Sequence, residues 1–291
     1  MTATPLFLAG TIAGPGFGAA LPQTSSNGEP ALGTIEKRIG GRLGVALVDA
    51  AGKPLMLHRS DERFAMCSTF KASLAAAILE AIGADQLRAD TLLTITADDL
   101  VTYAPYVEPR LAQRDFTVVE LLEASVQLSD NVATNALLKV YGGPQKLTRF
   151  YRGKGDSVTR LDRYELELNE NALGDPRDTS SPFAMARLMA DLCFGTALRC
   201  NARDELKRLM AGSKTGADRI RAGVPEHWHV GNKTGTGYPE AKAVNDIAFL
   251  ETPEKGYILV IYSDRAVVSY DAASAAIAEV AAHAAERIAR V

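Results

Sequence analysis

Strand-forming segments occur only toward the two ends of this chain, and most of what lies between them reads as helix. Leu43–Asp49 and Pro54–His58 are short apolar runs on either side of Ala51-Gly52-Lys53, a turn signal that predicts a hairpin. Far downstream come His229–Thr236, Asn245–Glu251 and Tyr257–Ser263, the last two joined through Pro253-Glu254-Lys255-Gly256. Five strands drawn from both ends and linked by short hairpins predict a mostly antiparallel sheet. A helix from Gly28 to Gly40 and an Ala-rich one over Ala272–Arg290 flank it. The fold class is therefore α+β: a five-stranded sheet flanked by helices, with an all-helical lobe inserted between its strands.

The insertion carries its own helix punctuation. Ser68–Ile82 is rich in Ala and Leu, and Thr117-Val118-Val119-Glu120 is a capping box ahead of Leu121–Gln127. Pro144 and Pro182 stand where first helical positions belong, and Asn201 is placed to cap a helix that stops at Gly212. The chain then divides into a discontinuous sheet domain, 28–66 plus 213–291, and a helical domain, 67–212. A cleft between them is the default place for a site. Thr91–Arg114 and the polar, turn-rich Arg160–Asp178 resist a helical reading. A loop as long as the second, 160–178, is uncommon unless it is functional or disordered.

With 291 residues, 47% hydrophobic and 23% charged, the chain has ordinary globular composition, which excludes a disordered, collagen-like or disulfide-stapled protein. Its 32 basic and 35 acidic residues leave a net charge of −3. No basic block is dense enough to follow a phosphate backbone, so nucleic acid is not an expected partner. No run approaches the roughly 20 apolar residues of a membrane span. The three cysteines, Cys67, Cys193 and Cys200, cannot all pair within one chain and lack zinc-ligand spacing. His227-Trp228-His229 has no third ligand in view and reads as exposed strand, so no metal and no cofactor are expected. Residues 1–20 are small and apolar, with no charge until Glu29. They have the apolar stretch and small-residue end of a secretory signal, near Gly18-Ala19-Ala20, but not its basic start. A disordered tail is the alternative.

Three short motifs carry chemistry. Ser68-Thr69-Phe70-Lys71 opens a helix, and its spacing puts the Lys71 amine within reach of the Ser68 hydroxyl. A serine at a helix start also has backbone amides aimed at any oxyanion formed there. Ser129-Asp130-Asn131 lies between two predicted helices and could by itself be a cap. Lys-Thr-Gly occurs twice. Lys233-Thr234-Gly235, continuing into Thr236, ends a strand; Lys214-Thr215-Gly216 falls in a polar turn and reads as a chance repeat. A serine hydroxyl needs an adjacent base. None of the four histidines lies beside these motifs, so the available bases are an amine and a carboxylate.

In this order and on these elements, the three motifs resemble those of the active-site serine enzymes that react with penicillins. The long loop, Arg163-Tyr164-Glu165-Leu166-Glu167-Leu168-Asn169 to Asp178, resembles the Ω-loop of class A β-lactamases. The resemblance runs from about Gly28 to the C-terminus. It implies a β-lactamase/transpeptidase-like fold and hydrolysis of penicillins or cephalosporins through an acyl-enzyme, conferring resistance. Ser68 is then the nucleophile, with Ser68 and Thr236 amides as the oxyanion hole. Lys71 is a base or relay, Ser129 a proton donor to the lactam nitrogen, and Glu165 the activator of a water held by Asn169. Lys233, Thr234, Gly235 and Thr236 receive the substrate carboxylate, Asn131 the acylamide group, and Tyr103 walls the cleft. Arg163 and Asp178 close the loop neck, and the Glu165–Leu166 bond is cis although the usual proline is missing. Val244 stands where many members carry an arginine, a charge that Arg219 is placed to supply; an ordinary surface arginine is the alternative.

A monomer, exported to the periplasm or secreted and without a membrane anchor in its mature form, is usual in the family. Two other readings share the motifs. A penicillin-binding D,D-peptidase has no need of Glu165, and a β-lactam sensor domain usually comes with membrane spans and an effector.

Overall fold

The computed structural model describes residues 29–238 and 240–291; the expected leader, 1–20, lies outside them. Helix α1 (Pro30–Ile39) has proline in its first turn and ends at Gly40 in a left-handed conformation. Strands β1 (Arg42–Asp49) and β2 (Pro54–His58) form the expected hairpin. A two-residue β3 (Phe64–Ala65) and a 3₁₀ turn, Cys67–Thr69, lead into α2 (Phe70–Gly83). The middle of the chain contains β4 (Leu92–Thr94), β5 (Asp115–Thr117), α3 (Val118–Gln127), α4 (Asn131–Tyr141), α5 (Pro144–Gly153), β6 (Thr179–Ser180), α6 (Pro182–Cys193) and α7 (Cys200–Ala211). Then follow α8 (Ile220–Gly223), β7 (His229–Thr236), β8 (Val244–Glu251), β9 (Gly256–Asp264) and α9 (Tyr270–Ile288).

The main sheet has the order β2-β1-β9-β8-β7, antiparallel throughout. Successive side chains of a strand point to opposite faces, and β9 is apolar on both. Ile258, Val260 and Tyr262 join the core built with α2, α3, α4, α6 and α7, whereas Tyr257, Leu259 and Ile261 join the core under α1, α8 and α9. The sheet is thus covered on both sides, and the inserted helices share a core with one of its faces. Strand β7 is an edge, and the 3₁₀ turn carrying Ser68 packs beside it.

Helix α2 is buried almost all round, from Phe70 to Ala81, as a helix apolar on every face must be. It therefore encloses Lys71 completely. The capping box at Thr117 and Glu120 forms with both reciprocal bonds. Three details differ from expectation. Ser68 lies in the tighter 3₁₀ turn rather than in α2 itself, a common geometry at a helix entrance. Asn201 does not cap α7: Cys200 is already helical, the capping position is Arg199, and the Asn201 side chain accepts from Ala202 N instead. The short pairs β3–β6 and β4–β5 are not among the five expected strands; β4 falls in the Thr91–Arg114 stretch that resists a helical reading, and β6 follows the long loop.

Candidate active site

The three motifs and the long loop converge on one point. Cys67, just before Ser68, is left-handed at φ 45°, as are Tyr103 at 68° and Ser129 at 60°. Backbone strain of this kind in non-glycine residues gathers at functional sites. Gly235 explains how close β7 can come. A Cβ there would sit 2.7 Å from Met66 O and 3.2 Å from Cys67 Cβ, so any side chain would push the strand off the Ser68 turn. Gly237 N bonds Ala243 O across the ladder. Amides alternate along a strand, so Thr236 N–H faces away from β8, on the side of the Ser68 turn.

Ser68 Oγ donates to Glu165 Oε1 at 3.2 Å. Lys71 Nζ lies 3.1 Å from the same oxygen and donates to Ser129 O at 2.9 Å and Asn131 Oδ1 at 2.6 Å, with Ser129 Oγ at 3.4 Å. The expected contact between Lys71 and Ser68 is thus not the hydrogen bond formed here: Glu165 lies between the two motifs and accepts from both. Lys233 Nζ donates to Ser129 Oγ at 2.9 Å and to Thr234 O at 2.9 Å. Two lysines without solvent exposure therefore share one serine hydroxyl. Burial lowers both ammonium groups from the ordinary lysine value. For Lys71 the Glu165 charge opposes that effect; for Lys233 the neighbouring Lys71 charge adds to it, and Lys233 falls furthest. A buried charge is tolerated only when paired, and Glu165 is the partner in direct contact.

The 160–178 loop delivers Glu165 through fixed anchors. Asp178, fully buried, accepts from Asp162 N at 2.7 Å, Arg163 N at 3.0 Å and Arg163 Nε at 2.6 Å. The far side of Arg163 pairs with Glu170. Asn135 brackets the Glu165 backbone, accepting from its N at 3.0 Å and donating to its O at 2.8 Å. Tyr238 Oη donates to Leu166 O at 3.2 Å, and the Glu165–Leu166 peptide is cis. Asn169 Nδ2 donates to Glu165 Oε2 at 2.7 Å, while Asn169 Oδ1 is buried with no donor among the described residues.

Asp130 both caps α4 and shapes the site. Its Oδ1 accepts from Ala133 N, and its Oδ2 from Tyr106 N and Val107 N. That fixes the segment on which Tyr103 stands exposed at the rim. Asn131 Nδ2 donates to Thr102 O at 2.9 Å, using one of its two amide hydrogens. Arg219 is more than a surface arginine. Its Nη1 donates to Gly235 O at 3.1 Å and Asn245 O at 2.8 Å, and its Nη2 to Thr236 Oγ1 at 3.1 Å. It therefore stands beside the strand that carries Thr234 and Thr236.

Asn135, Asp130 in its loop-holding role and Tyr238 were not singled out as site residues in the sequence. Asn135 had a signal, since it lies one helical turn beyond Asn131 and shares its face. His229 pairs with Glu251 at 2.7 Å, and no group of three potential metal ligands occurs among the described residues. All three cysteines are free.

Comparison with known proteins agrees with this arrangement. Residues 29–288 match the model of the beta-lactamase enzyme family. The chain is 46% identical to beta-lactamase OXY-2 of Klebsiella oxytoca over 219 residues, 75% of this chain and 74% of that one. It is 43% identical to beta-lactamase CTX-M-97 of Escherichia coli over 243 residues, 84% and 82% of the two chains. A solved mutant of the class A beta-lactamase of the last common ancestor of Gram-negative bacteria superposes with a TM-score of 0.86 at 46% identity, covering 89% of this chain and 97% of that one. A solved beta-lactamase from Xanthomonas campestris gives 0.84 at 39% identity, covering 88% and 96%. The chain belongs to the class A serine β-lactamase family.

Proposed function

We propose that this protein hydrolyses the β-lactam amide of penicillins and cephalosporins through an ester on Ser68. Ser68 Oγ attacks the lactam carbonyl as its proton passes to Glu165 Oε1, the acceptor it already faces at 3.2 Å. The Ser68 and Thr236 amides stabilise the oxyanion. The proton moves on through Lys71, 3.1 Å from Glu165, to Ser129 and from there to the lactam nitrogen, which leaves as an amine. Lys233, Thr234, Thr236 and Arg219 hold the substrate carboxylate. The second amide hydrogen of Asn131 meets the acylamide carbonyl, and Tyr103 lines the rim. In the second half, Glu165 takes a proton from a water that attacks the ester, and Ser68 recovers its hydrogen.

The observation that carries this reading is the Glu165–Asn169 pair. A buried carboxylate within reach of the nucleophile, beside an amide oxygen that has no donor among the described residues, suits a water held for deacylation. A D,D-peptidase or a sensor has no use for it. The sheet segments, 28–66 plus 213–291, and the helical segment, 67–212, act as the two walls of the cleft. The apolar leader directs export to the periplasm or medium, where the enzyme works as a monomer. No helix among the described residues is long and apolar enough to cross a membrane.

Incubation with a chromogenic cephalosporin tests the proposal. Many turnovers per molecule are expected in the wild-type protein and none in Ser68→Ala. A single stoichiometric burst without further turnover would overturn hydrolysis in favour of a peptidase or sensor.

A further inference from the structure

The first Lys-Thr-Gly, 214–216, reads in the sequence as a chance repeat, but the fold sets it against the second. Thr215 Oγ1 lies 2.8 Å from Thr234 Oγ1. Gly216 makes the approach possible: its φ is 77°, and a Cβ there would fall 2.5 Å from Thr234 Cγ2. Asn232 Nδ2 holds the turn by donating to Thr215 O at 3.2 Å, and is itself anchored on Asp246 Oδ1 at 3.0 Å. Lys214 stays exposed and contributes only its backbone N–H, which donates to Gln127 O. Two residues of the repeat therefore have structural work at the site, and the lysine does not.

We propose that Thr215 is a positioning residue for the substrate-carboxylate pocket, acting through the Thr234 hydroxyl. The proposal rests on the β-lactamase reading above. A carboxylate only accepts hydrogen bonds, and a threonine hydroxyl has one hydrogen. When Thr234 donates to the substrate carboxylate, its contact with Thr215 must run the other way, with Thr215 donating. Ser213 Oγ lies 3.3 Å from both Thr215 O and Thr215 Oγ1, so its single hydrogen has two acceptors on Thr215. The result is a row of two hydroxyls, Thr215 to Thr234 to carboxylate, in which one bond polarises the next. Thr215 also fixes the Thr234 rotamer, because it hydrogen-bonds the almost buried Thr234 hydroxyl.

Thr215→Val keeps the shape and removes the hydroxyl. Its KM for benzylpenicillin should rise roughly threefold to tenfold, the net worth of one hydrogen bond, with kcat unchanged. The same penicillin as its carboxylate methyl ester, a neutral and weaker acceptor, should show a smaller rise in KM. Thr215→Ser should restore the wild-type KM. Thr215→Ala, smaller and free of any clash, carries the same test if valine is not accommodated. Equal loss on acid and ester, a change confined to kcat, an unchanged KM, or failure of serine to rescue would each overturn the proposal. Absence of penicillin hydrolysis in the wild-type protein would instead overturn the functional reading on which it rests.

Discussion

Asp178→Asn isolates the charge that closes the loop neck. The two side chains have the same shape, and both tolerate the left-handed backbone that Asp178 adopts at φ 58°. The change therefore acts on hydrogen bonding and charge alone. Asparagine can still accept from Asp162 N and Arg163 N with its one oxygen, but its NH₂ then faces Arg163 Nε, donor against donor. Arg163 loses its buried counter-charge and keeps only the more exposed Glu170. Removing one partner of a buried pair costs about 3–5 kcal/mol, and the remaining Glu170 places this case near 3. At roughly 2–4 °C per kcal/mol for a chain of this size, the melting temperature should fall by roughly 6–12 °C. Because Glu165 follows Arg163 by two residues, hydrolysis of good substrates should slow, and amide exchange across 160–178 should quicken. Thermal melts followed by circular dichroism, together with hydrogen exchange, provide the readout. A fall below about 2 °C with unchanged exchange in the loop would refute the reasoning and show that the neck is held by its backbone alone.

Two other perturbations have defined outcomes. Burial raises the Asp246 carboxyl to about 6. A group whose folded value is raised contributes stability at low pH that is lost as pH rises through that value. Urea melts should therefore show the stability of the wild type relative to Asp246→Asn falling by up to about 3 kcal/mol between pH 4 and pH 7; a difference independent of pH would contradict the assignment. Gly235→Ala should cost more activity than stability, because the added Cβ meets Met66 O at 2.7 Å and moves Thr236 away from Ser68. A variant with normal acylation rates would show that β7 need not approach so closely.

Much of this arrangement was legible in the sequence because it is written locally. The two-faced apolar run of β9, the capping box at Thr117 and the hairpin turns each lie within a few residues. The site was legible through the order of Ser68-x-x-Lys71, Ser129-Asp130-Asn131 and Lys233-Thr234-Gly235, and through Glu165 and Asn169 in one loop. What escaped depends on approach between distant segments. Thr215 touches Thr234 only because the turn after α7 lies beside the edge strand. Tyr238 reaches Leu166 across the mouth of the cleft. Lys71 has the spacing to meet Ser68, yet Glu165, brought in by a loop far along the chain, takes the serine's hydrogen bond. Strands of two or three residues, such as β3 and β6, carry too little pattern to register as strands, and Asn201 fails as a cap because a good capping residue two positions past the cap is simply inside the helix.

The central claim is that Glu165 activates the deacylating water, and Glu165→Ala tests it most directly. Acylation has a strained lactam and a second base, Lys71, so it should survive the loss in part. Deacylation must recruit a water to an ordinary ester, where general-base assistance contributes typically ~10²–10⁴-fold, with a further factor for positioning by Asn169. Mass spectrometry of the folded variant mixed with benzylpenicillin should show the mass of the protein plus intact drug, lasting minutes or longer, and no such adduct in Ser68→Ala. Turnover by Glu165→Ala at a rate near that of the wild type, with no adduct accumulating, would contradict the account.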